Sequence, residues 1–352
     1  MIKIGIAGTG STYGIADYHL KAFLRLPEIQ VAAVFTRRKE MGENFVRKYG
    51  LDAAVCESYE ELLARVDGVC ICTPNYLHAS MALKALRAGK GVLCEKPMFG
   101  TDEEIQELWQ EAKSRSFGHL AGFNYRYEPE NQKLKELISE GRLGRMYTFY
   151  QRKGGNRLAN KNIPYEWRMD RRVSKMGAAI DFGSHLLDNF LYIGGYEPEM
   201  ISSVAAQAET FVKERADETG TERAVDTDDM SMLTVRTCDG AMGRFDCSRL
   251  GVTYEEIQIV GSEGMAYYTA RTPGRIYLWE KCRDGSMENE PRLLEWEEKE
   301  DTYYLQAKVW VESMKEEASV QPDLELACRQ ELIFRAFQRA AEEKREILLG
   351  EG

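Results

Sequence analysis

The sequence lacks the features of a membrane protein, a secreted protein and a nucleic-acid-binding protein. No apolar run in its 352 residues approaches the length of a membrane span, and the chain enters a strand-like segment at Lys3 without the basic and apolar regions of a signal peptide. A formal net charge of −10 argues against binding to phosphate backbones, which requires a basic surface. We therefore expect a cytoplasmic protein with no nucleic-acid or membrane partner.

Potential metal ligands are also few. The chain has four scattered histidines, of which His185 alone has an acidic neighbour at helical spacing, and its eight cysteines form no disulfide framework. Cys70 and Cys72 belong to an apolar strand-like run, and we expect their thiols to face opposite sides of the strand and to bind no common ion. The sequence thus predicts no metal site.

The residues that are abundant indicate a two-domain globular α/β protein. Hydrophobic residues make up 43% and charged residues 30% of the chain, and 352 residues exceed the size of one typical domain. The first third alternates short apolar strands with helical stretches, a pattern typical of parallel βαβ units. The predicted strands are residues 4–7, 31–35, 68–72 and 91–94. We predict a Rossmann dinucleotide-binding domain over residues 1–122 and a second domain over residues 123–352.

The first predicted strand leads into a glycine-rich turn. Gly8, Gly10 and Gly14 would allow a tight turn and a close approach of backbone amides to a pyrophosphate at the start of the next helix. The turn is about three residues longer than the usual Gly-x-Gly-x-x-Gly spacing. The candidate cofactor-binding residues in this turn are Gly8, Gly10, Ser11, Thr12, Tyr13 and Gly14.

The second predicted strand is followed by Thr36, Arg37 and Arg38, which are further candidates for cofactor binding. A site for NAD(H) commonly has an acidic residue here for the ribose 2′-hydroxyl, whereas a 2′-phosphate favours arginine. The sequence therefore favours NADP(H), with NAD(H) possible. The alternative is that Arg37 and Arg38 only begin a solvated helix.

Lys96 stands at the end of the fourth predicted strand, between Glu95 and Pro97. The following proline disfavours a helical backbone at Lys96, so this residue stays at the strand terminus, where open α/β sheets bind their ligands. Its ammonium group could donate to a substrate oxygen there. The alternative is an ordinary lysine that is solvated or paired with Glu95.

The order of several motifs resembles that of the Gfo/Idh/MocA family of oxidoreductases, named after glucose–fructose oxidoreductase, inositol dehydrogenase and rhizopine catabolism. The motifs are Thr73-Pro74 with His78, Ala88-Gly89-Lys90, Glu95-Lys96-Pro97, Gly122 to Pro129, Trp167-Arg168, and Asp181 with His185. The resemblance covers most of the chain up to Gly264. It implies a C-terminal α/β domain with a large, mostly antiparallel open sheet that often mediates homo-oligomers, here a dimer or tetramer.

The resemblance also implies roles for individual residues. The catalytic residues would be Lys96, Asp181 and His185. The cofactor site would include Thr73, Pro74, Asn75, His78, Glu95, Lys96 and Pro97. The substrate wall would include Tyr125, Arg126, Trp167, Arg168 and His185, since aromatic faces and guanidinium donors suit a polyol or a sugar acid. The alternative for Tyr125, Arg126, Trp167 and Arg168 is a role in packing or in a salt bridge.

The spacing of Asp181 and His185 is compatible with catalysis apart from the resemblance. Four residues apart, they would share one face of a helix, where a carboxylate beside an imidazole fixes its tautomer and raises its basicity. The alternative is a helix start at which Asp181 is a cap and His185 a surface residue.

Elsewhere in the second half the sequence predicts five strands, two C-terminal helices and, over residues 213–229, an exposed acidic excursion.

The sequence therefore predicts a nicotinamide-dependent oxidoreductase that transfers hydride between the cofactor and a secondary alcohol or ketone of a sugar, sugar derivative or cyclitol. His185 or Lys96 would remove the hydroxyl proton, and Asp181 would orient the pair. Two alternatives remain. One is a glycosidase or lyase that oxidises a sugar transiently and recycles its bound cofactor, and the other is a dinucleotide-binding regulator without catalysis.

Overall fold

The structure is a computed structural model that describes residues 1–10, 14–115, 117–282, 284–296 and 300–350. The chain divides into two compact units. The first comprises Met1–Asn124 and Glu300–Glu331, and the second comprises Tyr125–Lys299 and Leu332–Gly352. Among the described residues, no helix is both long and apolar enough to cross a membrane.

The first unit contains a parallel six-stranded sheet. Its strands are β1 (Ile2–Ala7), β2 (Ile29–Phe35), β3 (Ala54–Cys56), β4 (Gly68–Ile71), β5 (Gly91–Cys94) and β6 (His119–Ala121). Their order in the sheet is β3-β2-β1-β4-β5-β6, so the order reverses between β1 and β4. In sheets of this kind, ligands bind beyond the carboxyl ends of the strands at this point. All four strands predicted from the sequence are present, and β5 has the predicted bounds.

Helices cover both faces of this sheet. The five helices that follow its strands are α1 (Ile15–Phe23), α2 (Lys39–Tyr49), α3 (Tyr59–Arg65), α4 (His78–Arg87) and α5 (Asp102–Ser114). Val69 and Ile71 of β4 belong to the core with α3, α4 and α5, whereas Cys70 belongs to the core with α1 and α2. The capping box predicted at the start of α5 is present between Thr101 and Glu104.

Cys70 and Cys72 lie on the same face, contrary to the expectation from the sequence. Their sulfur atoms are 3.6 Å apart, because residues i and i+2 of an extended chain point to the same side. Both side chains are buried in the core formed with α1. The prediction that the two thiols cannot face a common ion was therefore wrong.

The helix Thr302–Glu316 packs within the first unit, although it follows second-domain residues in the sequence. Trp310 of this helix is fully buried, and its indole Nε1 donates to the backbone oxygen of Gly118 at 3.2 Å. The sequence assigned all of residues 123–352 to the second domain, because local patterns do not reveal a return to an earlier domain. The helix Leu324–Glu343 begins in the first unit and ends in the second.

The second unit is built on a nine-stranded sheet. The strands of this unit are β7 (Met146–Gly154), β8 (Ile201–Glu209), β9 (Glu214–Ala216), β10 (Glu222–Ala224), β11 (Met230–Thr237), β12 (Met242–Ser248), β13 (Tyr254–Gly261), β14 (Gly264–Thr269), β15 (Arg275–Glu280), β16 (Arg292–Glu295) and β17 (Ile347–Leu348). The order in the large sheet is β16-β15-β14-β13-β7-β12-β11-β8-β17. β7 and β12 pair in parallel, and the other neighbours are antiparallel, as the family resemblance implied.

A buried helix packs against this sheet and carries a predicted catalytic residue. The helices of the unit are α6 (Pro129–Ser139), α7 (Arg171–Ser174), α8 (Ala178–Asp181) and α9 (Gly183–Gly194). Phe190 of α9 packs edge-to-face with Phe149 of β7 and Phe245 of β12. This aromatic contact fixes α9, and with it His185, to the central strands of the sheet.

Residues 213–229 form the exposed excursion predicted from the sequence only in part, because residues 213, 214, 218–224 and 226 are exposed and the others are buried or half-buried. β9 and β10 pair as a hairpin, and Arg215, Asp228 and Asp229 are buried. Asp229 Oδ2 accepts hydrogen bonds from the backbone amides of Phe211 and Val212. The sequence pattern failed here because the buried side chains are polar, and burial of polar groups depends on distant hydrogen-bond partners.

Candidate active site

Two strand ends approach closely at the switch point of the six-stranded sheet. Gly8 follows β1 and has a φ of 101°. A Cβ atom at Gly8 would lie 2.6 Å from the backbone carbon of Cys72 and the backbone nitrogen of Thr73, which follow β4. Only glycine satisfies both constraints, because it has no Cβ and tolerates positive φ. Gly8 is therefore required by the packing of the switch point itself.

Gly10 and Gly14 flank the part of the turn that leads to α1. A Cβ atom at Gly10 would lie 3.2 Å from Thr36 Oγ1. Gly14 is the N-cap of α1 and has a φ of 59°, which favours glycine. The predicted cofactor-binding residues Ser11, Thr12 and Tyr13 lie outside the described residues. Their role stays a prediction, as does that of Gly10 and Gly14.

Three buried polar atoms near the ends of β1 and β4 make no hydrogen bond with any described residue. They are the hydroxyl oxygens of Thr9 and Thr73 and the side-chain oxygen of Asn75. A buried polar group without a partner costs about 1–3 kcal/mol, so such a cluster is expected where a ligand supplies the partners. Hydroxyl and amide groups at this switch point fit a dinucleotide. The half-buried Pro74 connects Thr73 to Asn75.

Thr36, Arg37 and Arg38 follow β2 on the same edge of the sheet. Arg37 and Arg38 are exposed, and within the described part of the chain neither guanidinium forms an ion pair or hydrogen bond. Arg38 is the N-cap of α2, and its side chain does not cap the helix. Both guanidinium groups are thus available to an anionic ligand, and Thr36 stands where an acidic residue would hold a ribose hydroxyl.

His78 connects the two loops that follow β4 and β5. Its Nδ1 lies 2.8 Å from the backbone oxygen of Pro97, and its Nε2 lies 2.8 Å from the backbone oxygen of Thr73. Burial lowers the pKa of His78, although these two carbonyl groups act in the opposite direction. Each ring nitrogen faces a backbone carbonyl oxygen, to which the neutral ring can donate from only one nitrogen at a time. The side chain therefore contacts both loops and presents no further polar atom to a cofactor.

Glu95 follows β5 and pairs with a histidine from α1. Its carboxylate Oε1 lies 2.7 Å from Nε2 of His19. Burial alone raises the pKa of Glu95. The hydrogen bond and charge of His19 and the charge of Lys96 lower this pKa by more than burial raises it, so the net shift is downward. Lys96 itself is half-buried at the strand end. Glu95 is thus engaged by His19, not simply paired with its neighbour in the sequence.

In the second unit, His185 is stacked on Tyr125. The two ring centroids are 3.8 Å apart and the ring planes differ by 12°. Lys153 Nζ lies 3.9 Å from the centroid of the Tyr125 ring and 2.5 Å from a carboxylate oxygen of Glu255. Burial lowers the pKa of Lys153, but Tyr125 and Glu255 raise it more, so the net shift is upward. A protonated lysine therefore fixes the ring on which the imidazole is stacked.

Asp181 is held by arginine side chains. Arg249 Nε donates to Asp181 Oδ2 at 2.9 Å, and Arg168 Nε lies 3.9 Å from Asp181 Oδ1. The structure does not place Asp181 and His185 in one continuous helix, because α8 ends at Asp181, a turn at Phe182 follows, and α9 begins at Gly183. The prediction of a shared helix was therefore wrong, although both residues border the same turn.

The segment before Asp181 is fixed by Asp228. Its carboxylate accepts hydrogen bonds from the backbone amides of Gly177 and Ala179. A Cβ atom at Gly177 would lie 2.0 Å from the backbone oxygen of Asp228, so the contact requires glycine. Burial raises the pKa of Asp228. This aspartate belongs to the segment that the sequence indicated as an exposed excursion.

Of the predicted substrate-wall residues, Arg126 is engaged elsewhere. Its Nε and Nη2 donate to the two carboxylate oxygens of Asp188 at 2.8 and 2.6 Å, and both residues are buried. The salt-bridge alternative therefore applies to Arg126. The guanidinium of Arg168 lies 4.3 Å from the ring centroid of the half-buried Trp167, so these two residues remain candidates with Tyr125.

Comparison with known proteins identifies the family. Residues 2–120 match the oxidoreductase family with an NAD-binding Rossmann fold, and residues 131–267 match the GFO/IDH/MocA C-terminal domain. The trans-1,2-dihydrobenzene-1,2-diol dehydrogenase of Sus scrofa is 30% identical over 259 residues, which cover 72% of this chain and 71% of that protein. The chain belongs to the Gfo/Idh/MocA family.

A further relative and a solved structure are similar to this Gfo/Idh/MocA chain, and the structure agrees with its fold. Levoglucosan dehydrogenase of Pseudarthrobacter phenanthrenivorans is 29% identical over 286 residues, covering 75% of this chain and 72% of that protein. A solved structure of levoglucosan dehydrogenase in complex with NADH and L-sorbose has a TM-score of 0.88 at 24% identity and covers 100% of this chain and 99% of that chain. The predicted fold class and family are confirmed, and the protein is an oxidoreductase with a nicotinamide cofactor.

Four residues of the Gfo/Idh/MocA chain could not be identified from the sequence. Each contacts a predicted site residue or a segment that supports one. They are His19, Lys153, Asp228 and Arg249. Each reaches its partner from a distant part of the chain, and no local motif marks it. Lys96 lies in the first unit, whereas Asp181 and His185 lie in the second. Within the second unit the structure brings Tyr125 to His185.

Proposed function

We propose that the chain oxidises a secondary alcohol of a sugar, sugar derivative or cyclitol, or reduces the corresponding ketone, with Lys96, Asp181 and His185 as its catalytic residues. The observation that best supports this proposal is the imidazole of His185, held by the Tyr125 ring at 3.8 Å in the segment that also carries Asp181. Relatives named levoglucosan dehydrogenase, glucose-6-phosphate 3-dehydrogenase and scyllo-inositol 2-dehydrogenase support the substrate class.

In this mechanism His185 or Lys96 removes the hydroxyl proton of the alcohol. When bound, the nicotinamide cofactor would supply the hydride acceptor for the alcohol and, in the reverse reaction, the hydride donor for the ketone. A neutral imidazole is a suitable base near neutral pH, and an ammonium group suits the donation of a proton to the oxygen in reduction. Asp181, whose carboxylate is held by Arg249, would orient His185 and Lys96 for the proton transfer.

Variants of the two candidate bases test this assignment. Lys96→Met and His185→Ala should each lower kcat by about 10²–10⁴-fold, the usual contribution of general acid–base catalysis. His185→Ala should leave dinucleotide binding unchanged, as measured by fluorescence titration with the reduced cofactor. Lys84→Met, which changes an exposed lysine of α4, is the matched control. Unaltered turnover in both Lys96→Met and His185→Ala would show that the assignment is wrong.

The side chains that would contact the substrate are Tyr125, Trp167 and Arg168. The Trp167 ring can cover the apolar face of a sugar ring, and the Arg168 guanidinium can donate to its hydroxyl or carboxylate groups. His185 and Lys153 occupy the two faces of the Tyr125 ring, so Tyr125 would contact the sugar at its edge. Trp167→Ala should raise KM for the sugar by up to about tenfold, because an aromatic contact contributes about 0.5–1.5 kcal/mol, and should leave the dinucleotide Kd unchanged. An unaltered KM would remove Trp167 from the substrate wall.

We propose that NADP(H) is preferred over NAD(H). The support is the pair of exposed guanidinium groups of Arg37 and Arg38 after β2. Arg37→Ala/Arg38→Ala should raise KM for NADP⁺ about 10–100-fold, since a hydrogen bond to a charged group contributes about 1.5–3 kcal/mol, and should leave KM for NAD⁺ within about twofold. Arg47→Ala, an exposed arginine in the last turn of α2, is the control. Equal effects on both cofactors would contradict the preference.

We propose that the large sheet mediates a homodimer or homotetramer. The outward side chains of its central strands include Met230, Met232 and Met242, each 43% exposed. Met242 lines a groove of about 500 Å³, and Met230 and Met232 line another of about 520 Å³. Methionines exposed together are typical of an interaction surface. Light scattering should give a dimer or tetramer for the wild type and a smaller species for Met232→Lys, whereas Leu24→Lys should have no effect. A monomeric wild type would contradict the proposal.

The cytoplasm is the proposed compartment. All eight cysteines are free thiols in the structure, as expected for a protein in a reducing environment. The thiols are alkylated under denaturing conditions at the moment of cell lysis, and the mass of the intact chain is then measured. All eight cysteines should be alkylated, because none is in a disulfide. A structural disulfide in the isolated protein would contradict this compartment.

A further inference from the structure

Three potential metal ligands converge in the core of the first unit. A ring nitrogen of His19 and the sulfur atoms of Cys70 and Cys72 all lie within 4.8 Å of one another. The three side chains are almost fully buried. A buried cysteine by itself is usually just a small apolar residue. The case for a ligand therefore depends on the geometry of the two sulfur atoms and on the hydrogen bonds of His19.

The separation of the sulfur atoms fits a tetrahedral zinc ion. They are 3.6 Å apart. Two Zn–S bonds of about 2.3 Å at the tetrahedral angle place their sulfur atoms about 3.8 Å apart. A disulfide would require the same atoms to approach to about 2.0 Å. The observed distance excludes a disulfide and is compatible with two thiolates on one ion, as it is with two thiols that share a hydrogen bond.

His19 has one ring nitrogen engaged and one without a partner. Its Nε2 is 2.7 Å from Glu95 Oε1, whereas its buried Nδ1 makes no hydrogen bond with any described residue. Metal-binding histidines commonly donate one N–H to a carboxylate, which fixes the tautomer and leaves the other nitrogen for the ion. Glu95 and His19 have this arrangement, and a missing partner at Nδ1 is what a metal would supply.

We propose that Cys70, Cys72 and His19 bind one Zn²⁺ ion in the first unit, with Glu95 orienting His19. Two thiolates neutralise the divalent ion, so the complex carries no net charge into the buried core. The fourth position of the tetrahedron would be open to a water molecule. The ion would connect α1 to the end of β4 and so stabilise this unit. The proposal does not depend on the proposed function.

Metal content of the full chain tests this proposal. Because the ligands are buried, the protein is expressed in zinc-supplemented medium, so that metal is available while the chain folds, and it is then washed with a chelator. Elemental analysis should find about one zinc ion per chain. Protein produced with cobalt instead should show a thiolate-to-cobalt charge-transfer band in the near ultraviolet and the visible bands of tetrahedral Co²⁺.

Single substitutions assign the metal to these residues. Cys70→Ala, Cys72→Ala and His19→Gln should each reduce the retained metal at least about tenfold, because the ion loses one of its three protein ligands. Cys238→Ala and Cys282→Ala remove the two exposed thiols and should retain it. Circular dichroism confirms that each variant is folded.

Three results would overturn the proposal, and two of them need only the wild type. One is a wild type without zinc and without the cobalt bands. Another is a disulfide between Cys70 and Cys72, found by peptide mapping of the unreduced wild type. The third is metal that Cys70→Ala and Cys72→Ala retain fully, because the ion would then be bound elsewhere.

Discussion

Replacement of Arg126 by methionine tests whether this residue stabilises the fold or binds substrate. The side chains of Arg126 and Asp188 are 9% and 1% exposed and share two hydrogen bonds of 2.6 and 2.8 Å. Arg126→Met would leave the Asp188 carboxylate buried without its guanidinium, which costs about 3–5 kcal/mol. At roughly 2–4 °C per kcal/mol for a domain of this size, Tm should fall by about 6–20 °C.

A double-mutant cycle separates the lost pair from the orphaned charge. Arg126→Met/Asp188→Leu removes both charges and should recover most of the lost stability, because a buried ion pair and an apolar pair of similar volume are often about equally stable. Thermal and urea unfolding followed by circular dichroism measure the four proteins of the cycle. Lys133→Met breaks an exposed ion pair with Glu136 in the same unit and should change the free energy of unfolding by less than about 1 kcal/mol.

The opposite pattern would refute this reasoning. If Arg126 contacts the substrate, Arg126→Met unfolds at the wild-type temperature and raises KM for the sugar, and the second substitution at Asp188 rescues nothing. The sequence left both roles open, so the cycle decides between them.

Three further predictions concern packing, pH and a buried lysine. Gly8→Ala should weaken dinucleotide binding at least about tenfold, since its Cβ would lie 2.6 Å from the Cys72 backbone. The control is Gly50→Ala, at a glycine that also has a positive φ but lies in open space, and it should cost about 1 kcal/mol of stability without an effect on binding. Equal effects of the two substitutions in the binding titration would contradict this prediction. Burial lowers the pKa of His78 from 6.5, so the unfolded chain binds a proton that the folded chain resists. Stability should therefore fall as pH decreases below about 6.5, and the plot of Tm against pH should be flatter for His78→Asn; an unchanged slope would show that another group is responsible. Lys153→Met should lower the free energy of unfolding by about 1.5–3 kcal/mol, because it removes the cationic partner of the half-buried carboxylate of Glu255, and a wild-type urea midpoint would contradict this.

Local sequence patterns predicted the elements and the order of the first unit well. The apolar run from Gly91 to Cys94 is a strand with the expected bounds, and the Thr101–Glu104 capping box begins a helix as expected. These features are decided within a few residues of the chain, by apolar spacing and by the hydrogen bonds of a helix terminus. The same patterns placed Lys96 at a strand end.

Contacts between distant residues could not be predicted in this way. Arg249 reaches Asp181 across 68 residues, and His19 reaches Glu95 across 76 residues. Neither pair has a local signature, because the sheet topology and not the sequence spacing brings its members together. The turn at Phe182, where the sequence predicted a continuous helix, also follows a segment held by a distant residue. The Asp228 carboxylate accepts hydrogen bonds from two backbone amides of that segment.

The error at Cys70 and Cys72 has a different origin. A strand alternates its side chains with a period of two residues, so positions i and i+2 share a face. Opposite faces are expected for adjacent residues and not for this pair, whose sulfur atoms are 3.6 Å apart. Because Cys70 and Cys72 share a face, both can belong to the proposed zinc site.

The central claim is tested most directly by the near-ultraviolet absorbance of reduced nicotinamide. The purified protein is incubated with aldoses, inositols, sugar acids and glycosides, with NAD⁺ and NADP⁺ in parallel. We expect sustained reduction with one class of polyol, lowered at least about 100-fold by Lys96→Met and retained by Lys84→Met. The claim is contradicted if the absorbance stops at one equivalent of enzyme while a glycoside is cleaved, or if the dinucleotide binds and no compound reduces it.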